Sequence, residues 1–290
     1  MKFPRPSPLT TFFILSYAIF WGIWFPLIPH LQGLAEFDLE WWVILLALIG
    51  IYAPTWAALI TVAYSEGGAG LRSLVAPLLD WRISPRWYFL ALGTPIFVAM
   101  LAILFDTSIS DLSELQSVDW LTAVTVVMTT APFVLLAKLP LGPMAEELGW
   151  RGFALPRLQR SMSALAASIL LGNDWALWHL PAFWVPGAAL PLDETPGIGN
   201  VLAYTIDVVG VSIIFTWIYN NTRGSLLIDF LFHAAYNAFP ALLFGAVGIF
   251  PNSSTWIIWL FAIGIVVRYG PANLAAIKVT KLDKSVSTKP

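Results

Sequence analysis

The chain has 290 residues, of which 58% are hydrophobic and only 11% charged, with a mean hydropathy of +0.77. Soluble domains carry about 25% charged residues and roughly 45–50% apolar ones, so this is an integral membrane protein. The net charge of -2 comes with no basic run that would hold nucleic acid, and the absence of cysteine removes disulfides, thiolate chemistry and cysteine zinc sites.

The first apolar run, near 11–29, follows Lys2 and Arg5 much as the core of a signal peptide would. It continues for about twenty residues, beyond the roughly 7–15 of a signal core, and no small-x-small cleavage site follows it. It therefore reads as a retained transmembrane helix. Seven further runs lie near 42–64, 87–105, 120–139, 163–185, 200–219, 225–248 and 254–270. Each approaches the roughly twenty residues needed to cross about 30 Å of hydrocarbon. The expected fold is all-α: a polytopic membrane helix bundle with about eight transmembrane helices, forming a single transmembrane domain over 1–290. No internal repeat or separate soluble domain is visible.

All 15 Lys and Arg fall before span 1, between spans 2 and 3, around and after the end of span 4, between spans 6 and 7, or from the end of span 8 onward. The opposite loops carry only acids, among them Glu36, Asp38, Glu40, Asp106, Asp111, Glu114, Asp119, Asp193 and Glu194. By the positive-inside rule both termini are cytoplasmic. In a prokaryotic host the membrane is the plasma membrane. Trp41, Trp42, Trp81, Trp87, Trp120, Trp184 and Trp256 cluster at span ends, as interfacial anchors do.

With the loops set aside, few ionisable groups remain: Glu146, Glu147, Arg151, Asp174, His179, Asp207, Asp229 and His233. Such residues are costly in hydrocarbon without a partner or a wet cavity, so each is a candidate for function. In "EELGWRGF", residues 146–153, a helix advancing about 100° per residue sets Glu147 and Arg151 about 40° apart and Glu146 about 140° from Arg151. Glu147 can pair with Arg151 across one turn, which leaves Glu146 without a local partner. A helix start with acids in its first turn accounts for the same residues without function. His179 precedes Pro181 at the end of span 5. Asp229, His233 and Asn237 follow one another at steps of four, on one helix face. Interhelical hydrogen bonding would also account for that stripe.

Together these groups suit the activation of water. A carboxylate can take a proton and pass it to a leaving amine, imidazoles can bind a metal or polarise water and an oxyanion, and an asparagine can donate to a developing negative oxygen. No HExxH motif is present.

The ordered set EExxxR (Glu146, Glu147, Arg151), a (W/F)xxxH motif ending at His179, and HxxxN (His233, Asn237) resembles the CPBP intramembrane protease family. That family includes CAAX prenyl endopeptidases and bacterial Abi-type proteins. The resemblance covers roughly 120–245, the expected catalytic core. It implies an eight-helix core with a cytosol-facing cavity and cleavage of a peptide, or of a lipidated peptide, near the cytoplasmic membrane face. It further implies Glu146 as catalytic base and His179 as its partner on the attacking water. His233 and Asn237 would form the oxyanion site, with Glu147 and Arg151 supporting. Both glutamate- and metal-dependent mechanisms stay open. A single zinc ion, if one is used, would take Glu146, His179 and His233.

Trp175 stands where the motif has phenylalanine, which implies a reshaped pocket wall with activity kept. Asp174 and Asp207 receive no role. Asp229 is a candidate to orient His233 from one turn away. His179 lies about 24 Å into span 5 counted from residue 163, whereas Glu146 follows the break between Pro140 and Pro143. The expected resolution is a broken span 4 that lines a wet cavity. Two other readings remain at this stage: a non-catalytic membrane scaffold or regulatory protein of the same fold, and a proton-coupled transporter. The latter lacks the paired broken helices that inverted repeats predict.

Overall fold

A computed structural model describes residues 6–34, 38–110, 112–190 and 194–276. Glu36, Asp111, Asp193, Lys2, Arg5 and the four C-terminal lysines (Lys278, Lys281, Lys284 and Lys289) lie outside the described residues. The placement of the two termini therefore stays a sequence expectation.

Among the described residues there is no strand. The helices are α1 (Pro8–Leu27), α2 (Trp41–Ile51), α3 (Ala53–Val75), α4 (Pro85–Ile109), the short α5 (Ser113–Ser117), α6 (Trp120–Lys138), α7 (Pro143–Glu147), α8 (Leu155–Leu158), α9 (Ala164–Trp178), α10 (Ile198–Asn221), α11 (Leu226–Val247) and α12 (Ser254–Tyr269). Local chemistry sets several boundaries. Ser7 caps α1 by accepting from the Thr10 amide, Asp119 caps α6 at Thr122, and Ser163 caps α9 at Ala166. Pro54 removes a donor at the start of α3, where α2 and α3 meet at a 54° bend. Gly248, at φ 74°, closes α11 in the left-handed conformation.

Each of the eight apolar runs is helical. By length and composition five helices suffice to cross a membrane, or six when the bent α2–α3 pair is counted as one. The remaining two, α9 and α12, have 15 and 16 residues. Large apolar side chains stand on the outside of the bundle, including Leu121, Phe133 and Phe89, each at least 74% exposed. On a water-soluble protein such patches would be anomalous, and against lipid they are ordinary. Trp41, Trp81, Trp120, Trp184 and Trp256 are exposed as anchors should be, but Trp87 is buried. Its ring meets Trp217 edge-on at 5.0 Å, so it packs in the core.

Contacts between connections fall into two groups. Ser225 donates to the Asp80 carbonyl, Arg157 pairs with Glu66, and the Ala164 amide donates to the Ala272 carbonyl. Separately, Gln32 donates to the Trp184 carbonyl and the Asn252 amide donates to Asp106. Segments alternating in direction would sort their connections in this way.

The expected break in span 4 takes a different form. Instead of folding back, the chain continues from α6 through a 3-10 turn at Leu139–Leu141, Gly142, α7 and a π-helical stretch at Leu148–Ala154 into α8. This run of 39 residues is nearly twice the roughly twenty that cross the hydrocarbon. A π-helical turn within a helix often marks a functional site. Here Gly149 also lets it approach α3, since a Cβ at that position would stand 2.5 Å from the Pro54 carbonyl oxygen.

Candidate active site

Glu146 and Glu147 end α7, and both are buried. The helical wheel separated them correctly. Glu147 Oε1 accepts from Arg151 Nη1 at 3.0 Å, with both side chains fully buried. The guanidinium carbon lies 4.4 Å from the Trp175 ring centre and 3.8 Å from that of Phe215, so the cation is stacked as well as paired. The same Glu147 oxygen lies 2.7 Å from His233 Nδ1 on α11. A carboxylate facing Nδ1 fixes the ring orientation and turns Nε2 the other way.

The expectation that Asp229 orients His233 is therefore corrected, because Glu147 holds that position. Asp229 is fully buried, neither of its oxygens accepts a hydrogen bond from the described residues, and its charged neighbours among them are Glu147 and Arg151.

Glu146 points away from this ion pair. Its Oε2 accepts from the Trp175 indole Nε1 at 2.5 Å, 29 residues further along the chain. His179 terminates α9, and its Nδ1 lies 2.8 Å from the Trp175 carbonyl oxygen. A carbonyl only accepts, so Nδ1 carries the proton and, in the neutral ring, Nε2 presents a lone pair. The ring packs edge-on against Trp178 and Tyr204 at 4.8 and 5.6 Å.

A cavity of about 770 Å³ is lined by Glu146, Trp175, His179, Tyr204, His233 and Asn237, among others. Gly142 shows how tightly part of this set converges. A Cβ on Gly142 would stand 3.0 Å from Asn237 Nδ2, 3.4 Å from His233 Nε2 and 3.7 Å from Glu146 Oε1. A donor, an imidazole nitrogen and a carboxylate oxygen, contributed by two separate helices, thus surround one point that only glycine leaves open. All four residues expected as catalytic meet in one cavity, and the two supporting ones lie directly behind it.

The candidate zinc set fares differently. Among the described residues, no three His, Asp or Glu side chains come together as a metal ion would require, so Glu146, His179 and His233 do not form such a cluster.

Several contributors were not anticipated. Gly142 carries no chemistry that a motif could flag. Tyr204 read as part of an apolar span. Asp207, left without a role, lines the same cavity, accepts from Thr255 at 2.7 Å and from Tyr236, and so ties α10, α11 and α12 together. A second, mainly apolar cavity of about 360 Å³ adjoins it and shares Asp207, Val211, Tyr236 and Asn237. Asp174 is half-buried on α9, and its carbonyl accepts from Tyr17 at 2.7 Å.

Residues 128–239 match the family model described as type II CAAX prenyl endopeptidase Rce1-like. A curated protein of Methanococcus maripaludis, CAAX prenyl protease 2, is 28% identical over 204 residues, which make up 69% of this chain and 72% of that one. The family match begins within α6 and ends at Phe239, so it contains every residue of the three motifs.

Proposed function

Taking as premise the CPBP intramembrane protease family, which both matches support for this chain, we propose that it hydrolyses a peptide bond with a water activated by Glu146 and His179. The observation that carries this reading is the convergence of Glu146 Oε1, His233 Nε2 and Asn237 Nδ2 on the space beside Gly142.

Water placed there gives a proton to Glu146 Oε1 while its oxygen attacks the scissile carbonyl carbon. His179 Nε2 accepts the second water hydrogen in a hydrogen bond and fixes the direction of attack. The carbonyl oxygen becomes an oxyanion facing the Asn237 amide. His233 donates to it from Nε2 in its doubly protonated form, with Glu147 opposite Nδ1 as counter-charge. The C–N bond then breaks as Glu146 returns the proton to the leaving amine. This reading routes no step through a metal, and the lack of a three-donor cluster among the described residues supports it.

The substrate in this reading is a peptide or lipidated peptide, of the prenylated kind that the relative's name indicates. The adjoining apolar cavity supports it, since a hydrocarbon chain held there would lie beside Asn237. We place both termini and the access to the cavity on the cytoplasmic side, as the distribution of Lys and Arg supports.

The test is cleavage of prenylated and unmodified reporter peptides by the purified protein beside its Glu146→Ala and His179→Ala variants. Wild type cleaves and both variants lose at least a hundredfold. A wild type that is inert across the peptides, or variants that match it, would end this reading.

A further inference from the structure

Trp175 touches four of the six motif residues, each through a different part of itself. Its indole N–H donates to Glu146 Oε2 at 2.5 Å, and its backbone carbonyl receives His179 Nδ1 at 2.8 Å. One ring face lies 4.4 Å from the Arg151 guanidinium, and the ring meets His233 edge-on at 5.4 Å. The side chain is 4% exposed, so it does not act as a membrane anchor.

A carboxylate has two oxygens that rotate into each other's place unless one is held. We propose that Trp175 is a positioning residue that divides the labour of Glu146: it occupies Oε2 and thereby commits Oε1 to proton transfer beside Gly142. The inference rests on the protease reading above for its catalytic consequence, and on the hydrogen bond alone for its structural one. Two distances support the division. Oε2 is the oxygen bound to the indole, and Oε1 is the oxygen 3.7 Å from the point where His233 Nε2 and Asn237 Nδ2 also converge. The Trp175 carbonyl acts in the same sense on His179, since it holds the proton on Nδ1 and leaves Nε2 free to accept. One residue thus sets both the oxygen and the nitrogen that face the water. A phenylalanine at this position would lack the indole N–H, and with it any donor to Glu146, along with part of the ring system.

Trp175→Phe tests this, because it keeps an aromatic ring near Arg151 and His233 while removing the donor together with part of the indole. Loss of a hydrogen bond to a charged group corresponds to a kcat roughly 10- to 100-fold lower, with KM within twofold; the ring atoms lost from the buried site lower the thermal midpoint as well. A kcat at the wild-type level would overturn the proposal. So would a rise in KM in step with the fall in kcat, which would assign Trp175 to packing. A second measurement needs neither activity nor that variant. In 15N-tryptophan-labelled protein, one indole resonance lies in the strongly hydrogen-bonded downfield class and leaves it on Glu146→Ala. If no downfield indole responds, the hydrogen bond is absent and the proposal falls. A wild type that cleaves nothing while this resonance responds would sink the protease reading and leave the Trp175–Glu146 clamp standing.

Discussion

His233 Nδ1 lies 2.7 Å from Glu147 Oε1, the same oxygen that takes Arg151 Nη1 at 3.0 Å, so one buried acceptor serves both a neighbour on its own chain segment and a histidine 86 residues away. Glu147 therefore supports stability and site geometry together. Glu147→Ala leaves Arg151 buried without its counter-charge, which costs about 3–5 kcal/mol. The expected result is a much lower thermal midpoint in detergent together with lost cleavage. A midpoint equal to wild type would contradict the pairing.

In the proposed mechanism Asn237 faces the oxyanion, and removing one such donor typically lowers kcat by about a hundred- to a thousandfold. Asn237→Ala should show that loss with KM nearly unchanged. Steady-state kinetics on a reporter peptide decide it. A rise in KM at constant kcat would make Asn237 a binding residue instead.

Gly142→Ala adds one methyl group where three functional atoms converge, 3.0 Å from Asn237 Nδ2 at the closest. It should abolish cleavage more completely than Asn237→Ala while the protein still folds. Gly22→Ala, in α1 where nothing stands within 4 Å of the added carbon, is the matched control and should be silent. Equal activities in the two variants would refute the convergence.

Asp229 shares a helix face with His233 but does not bond to it. Asp229→Ala should therefore retain cleavage, in contrast to Glu147→Ala. A loss of kcat with thermal stability intact would restore Asp229 to the site.

The donor geometry also predicts the response to chelators. With no three-ligand cluster among the described residues, wild-type cleavage should persist after treatment with a chelator and dialysis. Loss of activity that added zinc restores would reverse this prediction.

Much of this was legible in order along the chain. The eight apolar runs are all helical, and the separation of Glu146 from Glu147 survives even though a π-helical stretch follows immediately. The spacing sufficed because an interval of four residues brings Glu147 and Arg151 together on either kind of turn. Span 4 was harder. "LPLGP" reads as a break, yet both prolines sit near the start of a helical segment, where a missing N–H costs little, and the chain continues. Trp87 looked like an anchor because sequence position does not reveal which way a ring faces.

The sequence by itself determined a lipid-embedded helical bundle, the few polar side chains it shelters, and the pairing of Glu147 with Arg151, because hydropathy and helical period act between near neighbours. Only the tertiary structure decided which atoms of distant segments meet: Trp175 on Glu146, Glu147 on His233, and Gly142 beneath Asn237. Those contacts depend on how α7, α9 and α11 are set against one another. That arrangement arises from side-chain packing across the whole bundle, which no local pattern encodes.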